Sequence, residues 1–277
     1  TLFDAIQAKA PADATIQDRV RMNNLALSIV MFSQGVPFFH AGDDSLRSKS
    51  FNPNSYNSGD WYNKLDWTYE SNNWGAGLPL EGTGQWDIYK PLLADPTLAP
   101  AKTDIAFASA VFREFLQIRK SSPLFRLQTE AQVKQSLSFL NNGPEATPGL
   151  IVMRLTDTNG IDPNYQELVV FFNARPEAVT FNDSTLTGEY TLHSIQQNSA
   201  DASVKQASYT DGSFNVPART TTVFVIEKAQ PATETPAETA PAETPAPAPN
   251  NTLTIVGIVA ALLALLGLGF LLRRKKA

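Results

Sequence analysis

QGVPFFHAGDDSLRSKSFNPNSYNSGDWYNKLDWTY, residues 34–69, is the stretch on which the fold turns. Its opening run Val36-Pro37-Phe38-Phe39 is short, apolar and set behind Gly35, the pattern of a buried strand. Immediately upstream, residues 15–33 read as a helix, with Ile16, Val20, Leu27, Val30 and Met31 near one stripe. A helix followed by a buried strand is the order that an α/β barrel gives. His40, Asp43 and Asp44 then emerge just past the strand, at the C-terminal mouth where barrel sites lie.

Working outward, a second helix is predicted over Thr103 to Ser121, with Thr103 as its cap, an apolar stripe of Ile105, Ala108, Phe112, Phe115 and Leu116, and Pro123 past its end. Beyond Pro123 the period changes to extended. Leu150 to Leu155, Glu167 to Phe172, Tyr190 to Ile195 and Thr222 to Ile226 are β-rich runs separated by Gly, Pro, Asn and Asp, which predicts a β-sandwich. The fold class expected is therefore part of an α/β barrel over residues 1–122, which the resemblance given below implies is its last part, followed by an all-β sandwich domain over 123–228. Residues 229–252, AQPATETPAETAPAETPAPAPNNT, are Pro, Ala, Thr and Glu with almost nothing apolar to bury, and predict a disordered, extended stalk. Leu253 to Leu272 is an uncharged run of twenty residues, long enough as a helix to span about 30 Å of bilayer. Arg273, Arg274, Lys275 and Lys276 follow it. By the positive-inside rule residues 273–277 form a cytoplasmic tail, and everything before the span faces outward.

Composition narrows the chemistry. The 277 residues carry 22 Lys and Arg against 27 Asp and Glu, a net charge of −5, so no basic face exists to neutralise a phosphate backbone, and nucleic acid is excluded as a partner. The absence of cysteine removes disulfides, thiolate metal sites and a cysteine nucleophile. All four tryptophans, Trp61, Trp67, Trp74 and Trp86, fall within one loop-like segment, with Tyr56, Tyr62, Tyr69 and Tyr89 and many Asn and Asp. Such rings either pack a long loop onto the barrel or supply the flat faces on which pyranoses stack, their hydroxyls held by short polar side chains. Their density predicts a carbohydrate cleft.

At this point the quoted stretch resembles the pullulanases and limit dextrinases, the starch-debranching branch of the α-amylase superfamily of glycoside hydrolases. The likeness lies in QG-P-F-HAG, LRSKS and NSYNSGDWYNKLDW, and it continues through PLLADP at Pro91 to Pro96 and FREFLQIRKSSPLFRL at Phe112 to Leu127. It covers roughly four fifths of the chain; the stalk and the span lie outside it. The resemblance implies a (β/α)8 barrel followed by a C-terminal β-sandwich, and retaining hydrolysis of α-1,6 linkages in branched α-glucans. That chemistry needs a carboxylate pair about 5 to 5.5 Å apart. The chain opens on Thr1-Leu2-Phe3-Asp4, the closing letters of the family's HDN-x-TLFD motif, so the catalytic carboxylates are expected upstream of Thr1, and these residues alone are expected to be inactive.

What the resemblance leaves here is substrate-binding surface. The family's SGDWFNR motif implies that Asp60 and Lys64 contact glucose on the non-reducing side of the cut, with Trp61, Tyr62 and Asn63 beside them. Lys64 stands where the family has Arg, which keeps the charge and loses the planar fork; Tyr62 replaces a Phe and adds a hydroxyl. His40 reads equally as a neutral donor to a sugar hydroxyl and as a half-buried loop histidine. Asp43 and Asp44, where relatives carry Ser-Glu, and Arg47 and Lys49 are expected to support the loop. No metal ligand set and no cofactor is indicated, and structural calcium is left open. The alternatives are another α-amylase-type glucan hydrolase and a non-catalytic surface glucan-binding protein.

Overall fold

The computed structural model describes residues 1–80 and 83–229. The helices are α1 (Leu2–Lys9), α2 (Ile16–Phe32), α3 (Trp86–Ala94), α4 (Lys102–Ser121), α5 (Glu130–Ser136) and α6 (Ser194–Gln197). The strands are β1 (Leu137–Phe139), β2 (Leu150–Thr156), β3 (Tyr165–Asn173), β4 (Val179–Asn182), β5 (Thr191–Leu192), β6 (Ser208–Thr210), β7 (Ser213–Val216) and β8 (Thr220–Glu227).

Helix α2 begins where Thr15 and Asp18 close a reciprocal capping box, which satisfies orphan amide groups of the first turn. Its other end is held from outside. The buried Arg119 on α4 donates to the carbonyls of Met31, Ser33 and Gly35, groups that no intrahelical donor reaches. Helix α4 starts one residue before the expected Thr103: Ala101 is its cap, and the Asp104 carboxylate accepts from the Ala101 amide. An acidic side chain at the third helical position reaches back to the cap more directly than a threonine inside the first turn.

Antiparallel pairing arranges β1-β2-β3-β8-β5 in one sheet and β4-β7-β6 in a second. The five-stranded sheet is covered on both faces. On one, Met153, Leu155, Leu168, Val170, Phe172, Val223 and Val225 meet Met31 and Phe32 of α2, Val111, Phe115 and Ile118 of α4, and Phe125. On the other, Val152, Val169, Phe171 and Phe224 meet Val179, Phe214 and Val216 of the small sheet. Alternation along β2 and β8 sends neighbouring side chains to opposite cores. Each fully buried Phe contributes about 1.5 to 3 kcal/mol. A third, smaller core of Phe3, Val20, Leu46, Ile105 and Ala108 lies under the long loop.

Two expected strands differ. Val36 to Phe39 is extended but belongs to no sheet, because among the described residues no strand lies beside it. Val36 and Phe38 are 93% and 91% exposed, while Phe39 packs edge-on against Phe112. The run expected over Tyr190 to Ile195 keeps only Thr191–Leu192 as a strand. At His193 the ring Nδ1 accepts from the Ile195 amide and turns the chain into α6. Among the described residues no helix is long and apolar enough to cross a membrane. The expected stalk and the span over 253–272 lie outside the described residues.

Candidate functional site

Residues 40–80 form a loop assembly held by polar contacts to the helices. Gly42 has φ +94°, and a side chain there would collide with Leu65 and Arg47, so a glycine is required at this turn. The next residues make one turn of 3-10 helix, Asp43–Ser45. Asp44 faces α4, where its carboxylate lies 3.4 Å from the Ser109 hydroxyl, which also receives Arg113 at 2.9 Å. Asp43 accepts from the His40 amide at 3.1 Å, and burial pushes its carboxyl above the usual range.

Arg47 spans two segments. Nη1 donates to the Ala41 carbonyl at 2.8 Å and lies 3.3 Å from His40 Nε2, and Nη2 donates to the Asn63 carbonyl at 2.7 Å. Lys49 reaches the Ser55 hydroxyl with Nζ and gives its amide to Asp4 at 3.0 Å. Burial, then the Arg47 charge, holds the Lys49 ammonium below its ordinary range. Asp4 is the anchor that sequence reasoning missed. It is buried, and it accepts from both the Ser48 hydroxyl and the Lys49 amide. The aspartate of the opening TLFD run was the available signal, but a motif's last letter carried no partner. Asn72 and Asn73 were missed for a related reason. Their amides donate to the carbonyls of Leu46 and Trp61, long-range contacts that leave no local pattern.

Asp60 opens a second one-turn helix, Asp60–Tyr62, and Lys64 follows. Both side chains are exposed, and among the described residues neither has a hydrogen-bond or ion-pair partner. Trp61 stacks on Tyr62 and lies so close to Gly77 that a side chain at Gly77 would overlap its ring. Tyr62 differs from expectation. It is buried, and its hydroxyl donates to the Leu78 carbonyl at 2.8 Å, so the added oxygen braces the loop rather than facing a ligand. Asn63 is also committed, its side chain clasping the Ser55 carbonyl and hydroxyl. The aromatic cluster divides as well. Trp74 lies edge-on to Phe3 and Phe51, and Trp86 donates to Pro79, so these two pack the loop, while Trp67 and Tyr56 stay exposed.

His40 is half exposed, with Nδ1 3.8 Å from Asp43 Oδ1. Burial, reinforced by Arg47, lowers its pKa and favours the neutral ring. Arg47 thus ties the half-exposed His40 to the loop that carries the exposed Asp60 and Lys64, making one braced assembly. It offers a neutral ring, an exposed carboxylate and an exposed ammonium, groups that can donate to and accept from hydroxyls. A separate cleft of about 700 Å³ is lined by none of these residues, and its Arg19, Asp95 and Asp104 are committed to local partners. Among the described residues no three His, Asp or Glu side chains are grouped to hold a metal ion.

Residues 69–227 match the family model for the C-terminal domain of pullulanase-type alpha-1,6-glucosidases. The chain belongs to this family. Its matched region corresponds to the C-terminal domain that this family model describes. The chain is 47% identical over 237 residues to the chloroplastic pullulanase 1 of Arabidopsis thaliana, covering 81% of this chain and 25% of that protein. Among solved structures, the apo pullulanase of Klebsiella pneumoniae superposes with a TM-score of 0.78 at 33% identity, covering 83% of this chain and 26% of that one. A Klebsiella pneumoniae pullulanase complexed with maltotriose gives 0.77 at 32% identity, covering 83% and 22%. The chain spans about a quarter of the length of the curated relatives it matches.

Proposed function

We propose that these residues supply substrate-binding surface to a retaining hydrolase of α-1,6 branch linkages in pullulan, branched dextrins or glycogen. In this reading residues 1–122 are the closing part of a (β/α)8 barrel, and Asp60 and Lys64 hold glucose hydroxyls on the non-reducing side of the cut. The observation that carries the proposal is that pair: two exposed, unpartnered charges on one braced loop, tied through Asn63 and Arg47 to His40. The reaction itself needs two carboxylates about 5 to 5.5 Å apart and water, with no cofactor. The proposal assigns those carboxylates to the part of the relatives' length that this chain does not span. It also puts the sugar-binding part outside the cell, on a stalk over 229–252 held by a helix over 253–272.

The test uses the protein carrying its upstream chain. Asp60→Ala should lower kcat/KM on branched dextrins by about 10- to 100-fold, since a hydrogen bond to a charged group is worth about 1.5 to 3 kcal/mol. An unchanged specificity constant removes Asp60 from the site. Retention on immobilised pullulan without any hydrolysis would favour a glucan-binding protein instead. Detergent release from cell membranes with the basic C-terminal residues intact checks the anchor.

A further inference from the structure

Arg47 is buried, and its partners are carbonyls and a ring nitrogen instead of a carboxylate. Its Nε is buried without a partner among the described residues. Burying a charge with no carboxylate in direct contact is costly, Asp43 acting on it only at a distance, and the acceptors that offset the cost come from both arms of the candidate site. Ala41 and His40 belong to the segment that follows the extended run, and Asn63 lies between Asp60 and Lys64.

A guanidinium is all donor and keeps its charge. Where it meets an imidazole nitrogen, that nitrogen must accept, and the neutral ring then carries its hydrogen on the other nitrogen. Nε2 of His40 is the nitrogen facing Arg47, so the hydrogen sits on Nδ1. Nδ1 is 3.8 Å from Asp43, too far to spend its donor there. We propose that Arg47 is a positioning residue for glucan binding: it fixes His40 as the Nδ1–H tautomer, a free donor for a sugar hydroxyl, and locks the His40 segment in register with the Asp60 to Lys64 loop. This rests on the reading of that loop as glucan-binding surface. The charges facing His40 act in the same sense on balance. Arg47 and Lys49 oppose protonation, and Asp43 favours it.

The chain has only two histidines, so 15N-labelled histidine reports His40 directly. The wild-type chain should show His40 protonated on Nδ1. Arg47→Met should raise its titration midpoint toward the ordinary value and move the hydrogen toward Nε2. In the protein carrying its upstream chain, Arg47→Met should raise KM for branched dextrins about tenfold with kcat little changed. Arg47→Lys should restore the His40 titration but not KM, because one ammonium cannot reach three acceptors. A wild-type His40 protonated on Nε2 would overturn the proposal without any variant, which covers the case of an unstable one. So would an Arg47→Met protein with a lower unfolding midpoint but unaltered KM and tautomer. If the wild-type longer protein binds no glucan, the proposed function fails and takes the sugar-donor role with it, while the tautomer result still judges the Arg47 contact.

Discussion

His193 is 1% exposed, where the end of α4 meets β3. Its Nδ1 accepts from the Ile195 amide, which puts the ring hydrogen on Nε2, within reach of the Ser121 hydroxyl at 3.0 Å and the Tyr165 hydroxyl at 3.2 Å. Burial alone pushes its pKa down to about 4. In the unfolded chain the ring titrates near the ordinary value of about 6.5. Between those values the unfolded state binds the extra proton, so stability is full above about pH 6.5 and is lost as pH falls toward 4, by about 3 kcal/mol. Urea midpoints at pH 7 and pH 4.5 check this. The wild-type chain should lose substantially more stability on acidification than His193→Gln, and equal losses would remove His193 as the cause. None of this was legible in the sequence, where His193 fell inside an apparent strand and its hydroxyl partners lie 28 and 72 positions away.

Strand β8 shows the same limit at the level of elements. Strand β5 pairs with it for only two residues, Thr191 opposite Val225 and Leu192 opposite Phe224. Past that point the Gln196 side chain takes over the ladder, donating to the Thr221 carbonyl at 2.8 Å and accepting from the Val223 amide at 2.7 Å. A carboxamide has the same donor and acceptor as a peptide group, so one turn of helix closes an edge that a longer strand would otherwise cover. Gln196→Ala leaves two buried backbone groups unpaired and should cost about 2 to 5 kcal/mol in denaturant unfolding. A loss under about 0.5 kcal/mol would mean that water reaches these groups. Elements whose apolar residues repeat were readable. Helix α2 and the strands β2, β3 and β8 lie within two residues of the expected ends, because each buries a continuous stripe or a two-sided run. The strands β4, β6 and β7 were not, since each is three or four residues long and alternates over too short a stretch to rise above loop composition. The loop of residues 40–80 is fixed by side-chain hydrogen bonds, which carry no period at all.

Among the described residues the helices and the two sheets enclose two large cores, with a third under the long loop, and the apolar side chains left over are informative. Val36 and Phe38 point away from the packed side of an extended segment whose far neighbour, Phe39, is packed. That segment is pinned at its start, with Gln34 bonded to the Leu124 carbonyl and the Leu127 amide and Gly35 to Arg119, yet its own edge is unpaired. A fixed, unpaired edge bearing apolar groups is a template for another strand. The short apolar run expected to be a buried strand is an exposed extended segment here, and what it lacks are the neighbouring strands that the proposed barrel would supply. Hydrogen exchange tests this. The amides of Val36, Phe38 and Phe39 should exchange rapidly in the 277-residue chain and become strongly protected in the protein carrying its upstream chain. Replacing Val36 and Phe38 together with Ser should make the shorter chain less prone to aggregate while leaving its unfolding midpoint nearly unchanged, because neither side chain is packed there. The same double change should destabilise the longer protein by about 3 to 6 kcal/mol, the burial free energy of two large apolar side chains. Equal exchange in both proteins, or an unaffected longer one, would mean that no strand docks on this edge and that the barrel reading of residues 1–122 is wrong.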